Sequence, residues 1–207
     1  MMTKWPAPNR CKTRLATAIG ACQAASIQKR LIIHTISVAN NLKRRGLIEI
    51  KIAIAGIGSK KGKRWERQEK IFKTSSQGHG TLGLRMRREV IKVQRKNKFP
   101  AKEGQPTILI GTDLPCLCEL DLIKALRKLE SNDMVVGPAI DGGYWLLGLS
   151  KSLVKPVASW PFTGIPWGSN DVLKETINRA RLNGIRYALL NQLNDLDEII
   201  DLTPWQK

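Results

Sequence analysis

Apolar and polar positions alternate along this chain with two different periods. Over residues 17–45, Ile27, Leu31, His34, Val38 and Leu42 recur every three or four positions, which predicts a long amphipathic helix stopped at Gly46. His34 sits on that apolar stripe and reads as a packed histidine, not a metal ligand. Ile48, Ile50, Ile52 and Ile54 then alternate with Glu49, Lys51, Ala53 and Ala55, the period of a strand that ends at Gly56 and Gly58. A basic polar segment follows, predicting a loop and a helix over residues 65–70. Residues 77–88 are glycine-rich and lead into a helix reaching about residue 94. After a basic loop with Pro100 and Pro106, residues 107–111 have the β-branched and apolar character of a strand buried on both faces.

Beyond Thr112-Asp113-Leu114-Pro115, the spacing of Leu120, Ile123, Leu126 and Leu129 predicts another amphipathic helix. Residues 134–138 and 144–149 read as inner strands. A loop with Trp160, Pro161, Gly164, Pro166 and Trp167 precedes a helix over residues 170–182, ended at Gly184. Residues 185–190 form a last strand, and residues 195–202 a turn and short helix. Strands and helices in alternation predict an α/β fold with a mostly parallel sheet, and 207 residues suit one domain with its own core.

Charge changes the picture in the first half only. Residues 1–102 hold 25 Lys and Arg against 4 acids, whereas residues 103–207 hold 10 against 13, so the halves carry +21 and −3. A basic face serves nucleic acid, a membrane surface or an anionic small molecule equally well. Much of the excess lies in runs such as SKKGKRWER and RMRREVIKVQRKNK, which read first as solvated surface, with nucleic-acid binding the lesser reading. Cys11, Cys22, Cys116 and Cys118 lack C-x-x-C spacing and read as reduced structural thiols. The apolar runs are too short for a membrane span or a signal peptide, so a cytoplasmic protein is expected.

Candidate chemistry concentrates at four places. Ligands of open α/β sheets sit beyond the carboxyl ends of the parallel strands, so Asp113, just past a buried strand, is the first functional candidate. Its plainer role is a turn former or helix cap. Near the start, Pro8, Arg10, Lys12 and Arg14 lie in a turn leading to a helix, where cations and free N–H groups together attract phosphate. The glycines after Gln77 and those at Gly142 and Gly143 suggest close backbone approach. Asp141 could simply cap its turn.

These pieces together resemble the bacterial family of predicted glycosyltransferases often encoded near radical SAM and selenium-linked proteins. The resemblance rests on PAPNRCKTRL, QGHGTLGLRM, ILIGTDLPCL, VGPAIDGGYWLLGL, GIPWGSNDVLKET and NDLDEIIDL, in that order along nearly the whole chain. It implies the nucleotide-diphospho-sugar transferase fold, a three-layer α/β/α, Rossmann-like arrangement of the GT-A kind, related to 2-phospholactate guanylyltransferase-like nucleotidyltransferases. It also implies that Pro8, Arg10, Lys12 and Arg14 surround the phosphates of a nucleotide sugar or NTP, with Gln77 and Gly78 lining the same cleft. Asp113 would bind Mg²⁺ or Mn²⁺ and share in catalysis, and Asp197, with Asp195 as its alternate, would complete the metal site. Asp141 would be a catalytic base or sugar contact, and Gly142, Gly143 and Tyr144 would border the sugar or an unknown acceptor.

The resemblance has departures. Only MMTKW precedes the phosphate loop where the family has a full central strand, so the first strand reads as truncated, or its start lies upstream, and poor stability or inactivity is expected. Asn9 stands where glycine is usual, which implies a positive φ. Thr81, Leu84 and Ile140 stand where acids are common. Metal-dependent glycosyl transfer is the leading expectation, and nucleotidyl transfer to a phosphorylated small molecule with pyrophosphate release the alternative.

Overall fold

The structure is a computed structural model that describes residues 1–69, 72–95 and 104–205. These form two compact units, one from the described residues of Met1–Ser76, Gly111–Glu119 and Asn194–Lys207, the other from those of Gln77–Ile110 and Leu120–Leu193. The basic loop expected through Pro100 and the end of the helix expected at Lys70 fall outside the described residues.

The first unit holds a parallel sheet of β1 (Met2–Lys4), β2 (Lys51–Ala55) and β3 (Lys73–Ser76), in that order. β2 is central, and Ile52, Ala53 and Ile54 are all buried, because both faces of a parallel strand are covered. The sequence suggested that the first strand was cut short; a strand is there, but it is three residues long. Met2 faces Ala53 and Lys4 faces Ala55, and the Trp5 N–H donates to the Ala55 carbonyl (2.8 Å), so the following loop leaves from a fixed point.

The predicted long helix is α2 (Ala21–Arg44), set off at Gly20 from a short preceding helix, α1 (Thr13–Ile19). Gly20 has φ 86° and ψ 151°, a conformation open to glycine and strained for other residues. The far end of α2 behaves as expected: Gly46 has φ 70°, and the Leu47 N–H returns to the Leu42 carbonyl (3.1 Å), a Schellman-type stop. The buried face of α2 is wider than the stripe expected and takes in Ala24, Gln28 and Thr35 beside Leu31, Val38 and Leu42. His34 lies at its margin, Nε2 paired with the Leu117 carbonyl (2.9 Å), which agrees with a packed histidine. α3 (Ser59–Glu69) precedes β3, a polar KTSS strand that the apolar pattern did not reveal.

The second unit holds β4 (Thr107–Ile110), β5 (Met134–Pro138), β6 (Tyr144–Leu149) and β7 (Tyr187–Leu189) in the order β4-β6-β5-β7. β6 is antiparallel to both neighbours, and β5 and β7 are parallel. Its helices are α4 (Leu82–Arg95), α5 (Glu119–Ser131), the short α6 (Lys151–Val154) and α7 (Val172–Leu182). Glycines let large side chains lie flat on this sheet: a Cβ at Gly137 would stand 2.3 Å from the Trp145 ring. A 3-10 helix, Ile199–Trp205, closes the chain in the first unit. Among the described residues no helix is long and apolar enough to cross a membrane.

Candidate functional site

Three side chains distant in sequence meet in the first unit. β4 ends at Ile110, and the chain turns at Thr112, whose buried hydroxyl donates to Thr3 Oγ1 (2.8 Å). Asp113 follows, held by its backbone, because the Leu196 N–H donates to the Asp113 carbonyl (2.9 Å). Leu196 is fixed in turn by an apolar cluster with Leu15 of α1 and Ala24 and Leu31 of α2, with Leu202 packed beside it. Burying a leucine contributes about 1.5–3 kcal/mol, enough to define where the next residue falls. That residue is Asp197.

Lys12 completes the group. Its Nζ lies 3.1 Å from Asp113 Oδ1 and 2.8 Å from Asp197 Oδ1, and its side chain is 2% exposed, against 39% and 48% for the two carboxylates. Burial pulls the Lys12 pKa down, but the charges of Asp113 and Asp197 outweigh it, so the pKa ends raised. Lys12 adopts φ 48° and ψ 47° at the N-terminal boundary of α1, a left-handed backbone that a lysine takes at a cost of about 1–3 kcal/mol. Strain of that size persists where surrounding contacts impose it, and here two ion pairs do so. Asn9, at φ 61°, confirms the positive φ inferred from its sequence position.

Of the three cations expected around phosphate, only Lys12 faces the carboxylates. Arg10 Nη1 reaches the Gly56 carbonyl at 3.5 Å, and Arg14 Nη1 lies 3.7 Å from Glu198 Oε1 with both side chains largely exposed. Pro8 is exposed. Asp201 anchors the terminal turn: its Oδ2 accepts the N–H groups of Asp197 and Glu198, both at 2.8 Å. Burial opposes its ionisation, but those N–H groups and Asn194 prevail and lower its pKa.

One partner of this group was not anticipated. Gln28, 3% exposed on α2, donates from Nε2 to Asp113 Oδ1 at 3.0 Å. The signal for it was a polar residue at the flank of the apolar stripe of α2. The four cysteines are free, as expected, but a structural role fits one of them: Cys11 is buried and donates to the Ala7 carbonyl (3.4 Å), whereas Cys22, Cys116 and Cys118 are exposed.

The remaining candidates belong to the second unit. Gln77 is buried, its Oε1 accepting from Arg85 (2.9 Å), while its carbonyl and that of His79 accept from Arg88. The glycine-rich loop is thus clamped to α4, and a Cβ at Gly78 would stand 2.8 Å from Arg88 Nη1. Thr81, in place of an acid, precedes α4 and accepts the Leu84 N–H at 3.4 Å. Asp141 is exposed and its Oδ1 accepts the Gly143 N–H (2.9 Å), a side-chain-closed turn. Gly142 has φ 84°, and a Cβ there would fall 2.1 Å from the Asn170 carbonyl oxygen, so the close approach foreseen at this glycine is to the protein's own backbone. Tyr144 meets the Trp167 ring edge-on, with centroids 6.1 Å apart. Burial raises the Tyr144 pKa, with the nearby Thr176 acting the other way; Thr176 Oγ1 itself donates to the Val172 carbonyl (2.8 Å), and no well-formed hydrogen bond joins it to the tyrosine.

The donor set of the first unit suits a hard divalent cation. Asp113 and Asp197 supply carboxylate oxygens already arranged around a positive charge, the Lys12 ammonium. Among the described residues no cluster of three or more His, Cys, Asp or Glu that could hold a metal ion is present. Mg²⁺ is characteristically held by one or two carboxylates, with water and substrate phosphates filling the other positions.

Residues 38–169 match the family described as an uncharacterized protein conserved in bacteria, DUF2064, and the chain belongs to that family. None of the curated proteins is significantly similar to it in sequence. Among solved structures it is similar to a protein from Desulfovibrio desulfuricans G20 provisionally named a nucleotide-diphospho-sugar transferase, with 26% identity and a TM-score of 0.79 over 97% of this chain and 82% of that one. It also shares a fold with 4-diphosphocytidyl-2C-methyl-D-erythritol synthase from Anaerococcus prevotii DSM 20548, at 12% identity and a TM-score of 0.58 over 97% and 93% of the two chains. The inositol-1-phosphate CTP transferase of T. maritima shares it at 10% identity and a TM-score of 0.51 over 98% and 90%. The expected α/β nucleotide-diphospho-sugar transferase fold is therefore present.

Proposed function

We propose that this member of the family is a metal-assisted transferase that takes a nucleotide-activated sugar as donor and passes the glycosyl group to an acceptor. The observation that carries the reading is the Lys12 ammonium set between Asp113 and Asp197 at 3.1 and 2.8 Å. The similarity to the provisionally named nucleotide-diphospho-sugar transferase supports it.

The chemistry needs such a group. When the bond from a sugar to a diphosphate breaks, negative charge grows on the departing oxygens, and groups that meet this charge better than the ground state accelerate the step. A bound Mg²⁺ or Mn²⁺ would supply that charge stabilisation, held by Asp113 and Asp197. Lys12 keeps the two carboxylates together and brings a fixed positive charge with a raised pKa, so it stays protonated at neutral pH. Asp141 is the candidate for the acceptor's base or for a sugar contact, with Gly142, Gly143 and Tyr144 around it.

A second reading, nucleotidyl transfer to a phosphorylated small molecule, draws on the fold shared with a protein named as an inositol-1-phosphate CTP transferase. The same carboxylates and Lys12 would then serve an NTP. Products separate the two. Incubation with nucleotide sugars and Mn²⁺ should release a nucleoside diphosphate, through transfer or slow hydrolysis, and Asp113→Asn should abolish it. Pyrophosphate release from an NTP in the presence of sugar or polyol phosphates, with nucleotide sugars left intact, would replace the first reading by the second.

A further inference from the structure

We propose that Gln28 is a positioning residue for Asp113, fixing which carboxylate oxygen is left for the cation; this rests on the reading of Asp113 as an ion ligand. Asp113 Oδ1 already has two donors, Gln28 Nε2 at 3.0 Å and Lys12 Nζ at 3.1 Å. Oδ2 has no hydrogen-bond partner among the described residues, and the side chain is 39% exposed. The two donors differ in kind. Lys12, at the N-terminal boundary of α1, divides its ammonium between Asp113 and Asp197, whereas Gln28 projects from the first third of a 24-residue helix and is packed on its buried face.

A buried amide in an apolar stripe costs free energy unless it is hydrogen-bonded, so α2 tolerates a glutamine at this point because Asp113 accepts from it. The converse matters more for the site. A carboxylate free to rotate presents either oxygen, and one held at Oδ1 by a donor on a rigid element presents Oδ2. Supporting groups of this type, bonded to a ligand and not to the ion, typically change metal affinity about 10–100-fold when removed.

The test counts free Mn²⁺ by its EPR signal during titration of the full chain with Mn²⁺ alone, for wild type, Gln28→Met, Gln28→Asn and Asp113→Asn, with thermal melts as the check on folding. Wild type should bind one ion at this site, Asp113→Asn should lose it, and Gln28→Met should weaken the Kd about tenfold with a melting midpoint close to wild type. Gln28→Asn keeps the amide and the net charge but shortens its reach to Asp113, so it decides the matter if the methionine variant fails to fold; it should also bind more weakly. Wild-type affinity in Gln28→Met, or in Gln28→Asn, with binding lost in Asp113→Asn, would overturn the positioning role alone. Unchanged binding in Asp113→Asn, or none in wild type, would instead remove the underlying reading of the site.

Discussion

Replacing Lys12 with methionine keeps most of the buried stem and deletes the charge that joins Asp113 to Asp197. At an effective dielectric constant of about 20, each ammonium–carboxylate contact at 2.8–3.1 Å has a gross attraction of roughly 5 kcal/mol. Taking the ammonium out of water, to 2% exposure, opposes this by several kcal/mol. The carboxylates left behind are 39% and 48% exposed, so water screens and rehydrates them and the loss falls below the 3–5 kcal/mol of a fully buried broken pair. A net loss of about 1–3 kcal/mol follows, or a melting point roughly 3–9 °C lower for a chain of this size. Two carboxylates without their cation should then recruit one: Mn²⁺ at ten times its Kd would return about 1.4 kcal/mol. Differential scanning fluorimetry with and without Mn²⁺ measures both effects. A Lys12→Met protein as stable as wild type, or one that gains no more from Mn²⁺ than wild type does, would refute the argument that a cation is required between these carboxylates.

Leu196→Ala should destabilise by about 2–4 kcal/mol in urea unfolding, because Leu196 is buried with Leu15, Ala24 and Leu31; it should also weaken Mn²⁺ binding by loosening Asp197, two effects a surface leucine would not couple. Glu66 has its pKa lowered to about 2, chiefly because its carboxylate accepts the Thr74 N–H. A lowered folded-state pKa contributes stability that is complete above the unfolded carboxylate value near pH ~4.3 and is lost as pH falls toward 2. The stability gap between wild type and Glu66→Gln should therefore shrink on acidification through that window, and a gap independent of pH would contradict it. Lys12 works in the opposite sense: its raised pKa contributes stability that is present below about pH 10.4 and lost as pH rises through the folded-state value, so wild type should keep its advantage over Lys12→Met at neutral pH and lose it in strong alkali.

Much of this arrangement was legible in the sequence because it depends on strand ends. A β-branched run followed by Thr-Asp-Leu-Pro announces where β4 stops, and the order of motifs carried Lys12 and Asp197 to the same place. What sequence could not supply was direction. Arg10, Lys12 and Arg14 have one charge and one spacing, yet only Lys12 turns in to Asp113 and Asp197, and spacing carries no sign of the left-handed conformation at its Cα. Gly20 lay inside an unbroken helical period and gave no sign of the positive φ that divides α1 from α2. β3 is short and polar, and its partner β2 specifies it through backbone pairing and not through an apolar pattern. Gln28 falls at the flank of a stripe drawn through Ile27, Leu31, His34, Val38 and Leu42, whereas the buried face is wider and takes in Ala24, Gln28 and Thr35 beside Leu31, Val38 and Leu42.

The proposed transfer requires a cation-bound diphosphate at Lys12, Asp113 and Asp197. Thermal shift with nucleoside diphosphates, nucleoside triphosphates and nucleotide sugars, each with and without Mn²⁺, on wild type and Asp113→Asn, tests this most directly. The prediction is stabilisation of wild type by nucleotide and Mn²⁺ together that exceeds the sum of either alone, and its loss in Asp113→Asn. Equal stabilisation of both proteins, or nucleotide binding indifferent to Mn²⁺, would contradict it.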